Sequence, residues 1–114
     1  MYASLRVYSI APDAYADVGR AFMGGLVNPI CTLDGFQAYI LAGGSDRVIY
    51  SLSAFDTRDQ AEHSNAFAKN WIDKNLNETI PVPPEITVGR VAVARQSAGV
   101  NRQDIRYFDN EMFK

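Results

Sequence analysis

The residues with evident chemical potential in this chain of 114 are one histidine, one tryptophan, one cysteine, two arginines on extended segments, and a pair of alternating serines. His63 and Trp71 stand eight positions apart in AEHSNAFAKNWIDKNL (residues 61–76), while Cys31 lies far from both in sequence. A histidine and a cysteine so separated give no spacing signal for a nucleophile and its base. A single cysteine also excludes an intramolecular disulfide and any metal site built on paired cysteines. Ser51 and Ser53 lie on a run that reads as a strand and lack the strand-turn-helix setting of a nucleophile elbow. Asp56, Asp59 and Glu62 fall at a helix start, where acids are favoured by the helix dipole, with no oxygen-rich loop beside them to hold a cation. Arg6 and Arg90 are more pointed. An arginine on a strand face that becomes enclosed must find acceptors, so it either pairs with an acid or binds an anionic or phenolate ligand.

Composition narrows the setting. The chain is 47% hydrophobic and 21% charged, with a formal charge of −2 and acids and bases interspersed, which suits one small globular domain. No basic stripe is present to neutralise phosphates and no lysine-rich amphipathic face suits an anionic membrane, so neither nucleic acid nor a membrane is an expected partner. The N-terminal run MYASLRVYSI alternates instead of running apolar, and no long apolar stretch follows. With its lone cysteine, the chain reads as a cytoplasmic protein. The glycine pairs in MGGL and AGGS lack the spacing of a phosphate loop, and no metal or cofactor constellation is visible, so no cofactor is expected.

The elements that must position these residues follow from periodicity. Residues 3–10 (ASLRVYSI) alternate as a strand does, ending at APDAY, where Pro12 suits a first helical turn and Asp13 and Asp17 suit its positive end. Tyr15, Val18, Phe22 and Leu26 recur at helical spacing, and the helix is expected to weaken at Gly24-Gly25 and stop near Asn28-Pro29. Residues 35–42 and 47–55 are β-branched and aromatic runs joined by GGSD, which predicts a hairpin. Thr57 and Gln60 have capping-box spacing and open a second helix to Leu76, after which the prolines of NETIPVPPE force extended chain into a last strand over 86–95. The order is β-α-β-β-α-β. Two helices on one face of a four-stranded antiparallel sheet, a ferredoxin-like α+β layer, is the economical solution.

Unrolled at roughly 100° per residue, the second helix places Ala61, Ser64, Phe67, Ala68, Trp71, Ile72, Asn75 and Leu76 in one arc, with His63 beyond its edge. The opposite sheet face is left uncovered, and a second copy of the chain is the expected cover, making a homodimer. If Leu5 and Val7 face the helices, then Ser4, Arg6 and Tyr8 face the other way, accompanied by Tyr39, Ser51, Ser53 and Arg90. A register slip of one residue inverts the whole set.

The element order, with GFQAYIL, IYSLSAFDTRDQAEHSNAFAKNWIDKNL and PPEITVGRVAV, resembles the antibiotic biosynthesis monooxygenase-like family of dimeric α+β barrels. Within it the chain is similar to a bacterial branch with a Ser-Asn pair (Ser64, Asn65) in the second helix, a tryptophan and NL later in it, and PPE before the final strand. The likeness spans about residues 3–95. It implies a homodimer with a ligand-sized cavity between sheet and helices, and cofactor-free oxygenation of phenolic or quinol substrates, heme degradation, or binding alone. Heme-degrading relatives carry an iron-ligating histidine toward the C-terminal part of this helix, whereas His63 lies near its start. The expected function is binding of a small aromatic or phenolic molecule, with cofactor-independent monooxygenation as the chemistry; a non-catalytic small-molecule binder or structural dimer is the alternative. The candidate pocket residues are Arg6, Tyr8, Tyr39, Ser51, Ser53, Arg90 and Trp71. Residues 97–114, outside the likeness, are apolar enough (Ile105, Tyr107, Phe108, Met112, Phe113) to predict an extension packed at the dimer edge beyond a domain of residues 1–96.

Overall fold

The computed structural model describes residues 1–44 and 47–95. The expected C-terminal extension over 97–114 lies outside the described residues. Tyr2–Ser9 (β1), Phe36–Gly44 (β2), Val48–Phe55 (β3) and Glu85–Arg90 (β4) form one antiparallel sheet in the spatial order β2-β3-β1-β4. One helix spans residues 15–31 and a second spans Arg58–Asn75, so the chain runs β-α-β-β-α-β, the ferredoxin-like α+β layer that the periodicity predicts.

Local chemistry sets the ends of these elements. Thr57 Oγ1 accepts the amide of Gln60 at 3.2 Å while Gln60 Oε1 accepts the amide of Thr57 at 3.1 Å, a reciprocal capping box that satisfies two otherwise unpaired donors. Gly35, at φ +77°, turns the chain into β2 beside that cap, a backbone conformation that side chains resist.

The first helix departs from expectation at both ends. Asp13 sits in the left-handed region at φ 66°, so Pro12 and Asp13 form a turn and the helix begins only at Tyr15. It then passes Pro29 and continues to Cys31. Proline costs a helix the bond its missing N–H would make one turn back, here to Gly25, and Phe22–Leu26 is already a π turn in which the regular ladder is broken. The proline thus falls where there is little left to disrupt.

The core lies between the sheet and the helices. Tyr8, Ile49 and Phe55 meet Val18, Phe22, Leu26 and Ile30 of the first helix and Ala61, Ala68 and Ile72 of the second. Tyr8, Phe22 and Trp71 form an edge-to-face ladder with centroids 5.2 and 6.0 Å apart. The Trp71 indole also lies against the backbone at Gly25, where an added Cβ would collide with its Cζ2. Gly25 is therefore what lets the two helices approach.

The expected strand parity is inverted. Ser4, Arg6 and Tyr8 are fully buried beneath the helices, while Leu5 and Val7 look out from the opposite face together with Ile40 and Tyr50. Registers Ser4↔Ser53, Arg6↔Ser51 and Ser53↔Tyr39 confirm that these residues share one face, but it is the covered one. The reason is that both faces carry apolar residues, so the more apolar parity does not reveal which face the helices cover.

Candidate functional site

Arg6 is the centre of the site. It stands mid-strand in β1, with no exposed surface and no ion pair; the ion pairs among the described residues are Asp17 with Arg20, Arg58 with Glu62 and Lys69 with Asp73, all at the surface. Its charge is instead met by neutral acceptors. Nη1 donates to Asn65 Oδ1 at 2.8 Å and to Ser53 Oγ at 3.1 Å, with Ser64 Oγ at 3.4 Å, and Nη2 donates to Ser51 Oγ at 2.9 Å.

The proton directions around it follow from donor and acceptor capacity. Ser64 Oγ donates to the Ala61 carbonyl at 2.6 Å, so at its 3.0 Å contact with Ser53 the Ser53 hydroxyl must be the donor. Asn65 Oδ1 accepts from Arg6 and from the Ser4 hydroxyl, which fixes the amide with its oxygen toward the cation. Tyr39 OH and Ser51 Oγ are 2.6 Å apart, extending the network to β2. Every hydroxyl around the guanidinium thus has an oxygen for it to bond and a separate contact of its own. Serines at 51 and 53 leave room for the long side chain across the strand pair.

Arg6 Nε and Tyr8 OH, both fully buried, make no hydrogen bond of ordinary geometry to the other described protein groups, but the guanidinium lies near enough to the Tyr8 oxygen to interact with it. Burial pushes the Tyr8 phenol up to about 12, with the Arg6 charge and an Arg6 hydrogen bond pulling the other way and Tyr39 adding to the rise. The Tyr39 phenol is likewise pushed up by burial, against the opposing pull of its Ser51 hydrogen bond and of Arg6.

Arg6 and Tyr8 are among the residues around a cavity of about 500 Å³. One wall is the second helix, with Asn65, Ala66, Lys69, Ile72 and Asp73; the other is the proline segment from Ile80 to Pro84, and Ile86 of β4 closes the side. The walls are mostly apolar and the polar groups gather at two places, around Arg6 and at the rim, where Lys69 and Asp73 pair at 2.7 Å. The proline segment is tied down by the Ala11 amide, which donates to the Thr79 carbonyl at 3.0 Å, and by Ile80, which is buried.

The residues singled out from the sequence divide into three groups. Arg6 and Tyr8 line the cavity. Ser51, Ser53 and Tyr39 stand behind Arg6 and hold it. Arg90 and Trp71 lie elsewhere: Arg90 is exposed at the end of β4, where it donates to Tyr2 OH at 3.2 Å and stacks over that ring, and Trp71 packs between the helices. Arg90 pairs with Tyr2 in the register, two strand steps from Ser4, so it shares the face but not the place. His63 is exposed on the far edge of the second helix, in a shallow depression with Asp34 and Asp59.

Ser4, placed on the same face as Arg6 by parity, joins the site, and Asn65 and Ser64 complete it without having been read as members of it. The signal for them was present: small polar residues at alternate positions of two strands, and a Ser-Asn pair on the helix face that crosses them.

A half-open, largely apolar cavity with a buried arginine in its lining, set between the sheet, the second helix and the proline segment, defines a ferredoxin-like protein with a one-sided pocket. The sequence matches no family model and no curated protein. Solved structures, by contrast, match clearly. A Nitrosomonas europaea protein provisionally named an antibiotic biosynthesis monooxygenase superposes with a TM-score of 0.67 at 14% identity, covering 82% of this chain and 100% of its own. A Deinococcus radiodurans protein with the same provisional name gives 0.65 at 15% identity, over 87% of this chain and 100% of its own. A second Nitrosomonas europaea protein, of unknown function, gives 0.68 at 19% identity, over 86% and 95%. These likenesses establish the fold expected from the sequence, the one carried by antibiotic biosynthesis monooxygenase-like proteins of bacteria.

Proposed function

We propose that this protein binds a small aromatic or phenolic molecule in the cavity between its sheet and second helix. The observation that carries this reading is the cavity itself: about 500 Å³, mostly apolar, with a few polar groups such as Arg6, Tyr8 and Asn65 in its lining. That is the size and lining typical of small-molecule sites, in which a few polar groups orient an otherwise apolar ligand. Planar rings suit a slot between a helix and a proline segment.

Cofactor-independent monooxygenation is the chemistry to test in this cavity, in keeping with the provisional names of the structural neighbours. A phenolic or enolic substrate reacts with oxygen as its anion, and a positive guanidinium in a site of low dielectric favours that ionisation. The proton released on ionisation passes to solvent water, so a dedicated side-chain base is not required. The alternative, binding without catalysis, is favoured by the groups at hand: Tyr8 stays protonated at neutral pH, and Asp73 is engaged by Lys69 at the rim. Titration calorimetry with a panel of quinols and hydroxylated naphthalenes, followed by oxygen-electrode assays of those that bind, separates the readings. Binding with oxygen uptake supports the enzyme, binding without it supports the binder, and no binding across the panel removes both.

A homodimer formed through the outer sheet face is part of this proposal. Ile40 is 59% and Tyr50 42% exposed there, beside half-buried Leu5, Val7 and Leu52, a contiguous apolar surface of the kind that marks an interface. No helix among the described residues is long and apolar enough to cross a membrane. With one free cysteine, Cys31, a cytoplasmic site of action is in keeping with the composition.

A further inference from the structure

We propose that the Asn65 side-chain amide is the specificity-determining donor of the cavity: its Nδ2–H₂ meets an acceptor oxygen on the aromatic ligand, and Arg6 is the positioning residue that holds the amide in that orientation. The inference rests on the cavity reading above and deepens it by naming the residue that selects an oxygen-bearing ring over a bare one. Asn65 is half-buried and lines the cavity from the second helix, beside Ala66, Lys69 and Ile72. Its Oδ1 accepts from Arg6 Nη1 at 2.8 Å and from the Ser4 hydroxyl, so the oxygen is turned toward the sheet. Its Nδ2 makes no hydrogen bond to the described residues and, unlike Arg6 Nε and Tyr8 OH, is not enclosed.

Charge dictates which way this amide points. A guanidinium carries donors and no acceptor, so only the oxygen of Asn65 can face it. The Ser4 hydroxyl alone would not decide, because a hydroxyl pairs with either end of an amide. Ser51 and Ser53 in turn fix the guanidinium, at 2.9 and 3.1 Å. A cation on the amide oxygen also polarises the group and strengthens its N–H donors. The other accessible polar groups of the lining offer less: Lys69 and Asp73 satisfy each other at 2.7 Å, and Asn77 is exposed. Ile72, Ile80, Val82 and Ile86 make the surrounding walls apolar. A ligand oxygen that leaves water between them therefore needs the Asn65 donor.

The test uses the full chain and two probes of one bicyclic skeleton, 1-tetralone and tetralin, which differ by a carbonyl in place of a methylene. Affinity is read from protein-observed NMR titration. A carbonyl left unmet in an apolar cavity binds roughly tenfold or more weakly than the hydrocarbon, and a donor recovers that loss. The expected result is that wild type binds 1-tetralone at least as tightly as tetralin. Asn65→Asp keeps the oxygen that Arg6 and Ser4 require and replaces the donor with a second carboxylate oxygen. Binding of 1-tetralone should then fall roughly tenfold, with tetralin within about twofold of wild type. Arg6→Met frees the amide to turn and should weaken 1-tetralone alone, by several-fold, a change of selectivity that a general loosening of the fold does not produce. Weaker binding of 1-tetralone than of tetralin to wild type overturns the donor and leaves the cavity reading standing. Binding of neither probe overturns both. Equal losses of the two probes in a variant, or no loss, overturn the role given to that residue. The wild-type comparison needs no substitution, so it decides even if a variant fails to fold.

Discussion

Removing the charge of Arg6 should disturb the fold less than removing one of the neutral groups that hold it. In Arg6→Met the several kcal/mol needed to desolvate a guanidinium is no longer spent, against the loss of hydrogen bonds to a charged group worth about 1.5–3 kcal/mol each. Met fills a similar length of apolar space, and the acceptors keep partners of their own: Ser53 with Ser64, Ser64 with the Ala61 carbonyl, Ser51 with Tyr39, and Asn65 with Ser4. The two large contributions nearly cancel, and the expected net change is within about 1 kcal/mol of wild type. Asn65→Ala is the contrast. It takes away the 2.8 Å acceptor of Nη1 and the acceptor of the Ser4 hydroxyl while the buried cation stays in place. About 2 kcal/mol of stability should be lost, on the order of a 10 °C fall in Tm for a domain of this size. Urea and thermal denaturation followed by circular dichroism, on protein stripped of small molecules, measures both. If Arg6→Met proves the more damaging, Arg6 is a structural hub and the case for a ligand-directed cation collapses.

Three other outcomes are expected. Gly25→Ala drives a methyl into Trp71, and despite the better helix propensity of alanine should cost about 1–3 kcal/mol by denaturant titration; unchanged stability would mean that the helices do not meet there. The Tyr8 phenol rises from 10.0 to about 12, so folding favours its protonated form: the associated stability is intact below pH 10 and is lost as pH climbs toward 12. Denaturation midpoints measured across that window should fall by the equivalent of roughly 2–3 kcal/mol, with a shallower fall in Tyr8→Phe. Ile40→Arg places a charge in the exposed apolar sheet face and should convert a dimer to a monomer in sedimentation velocity; a wild-type monomer would refute the proposed interface.

Local chemistry made much of the fold legible. The capping box at Thr57 and Gln60, the hairpin runs and the apolar arc of the second helix are short-range patterns, and the structure reproduces each. The path of the first helix was less legible, because Asp13 takes a rare left-handed backbone and Pro29 is accommodated by a π turn set up by its neighbours. Grouping Ser4, Arg6, Tyr8, Tyr39, Ser51 and Ser53 on one face followed from period-two alternation alone. Choosing which face the helices cover did not, since a sheet with apolar residues on both sides offers no such signal. The same inversion explains Asn65: once Arg6 is under the second helix, the helix face above it must supply acceptors. The Ser64-Asn65 pair is where they are found.

The most direct test of the central claim, that a small molecule occupies the cavity at Arg6, is a heteronuclear NMR titration with naphthoate that follows the Arg6 side-chain Nε–H resonance. The expected result is a saturable shift of that signal, accompanied by the Asn65 side-chain amide and the backbone of Ile80. Shifts confined to the outer face around Ile40 and Tyr50, or no saturable shift at all, would contradict it.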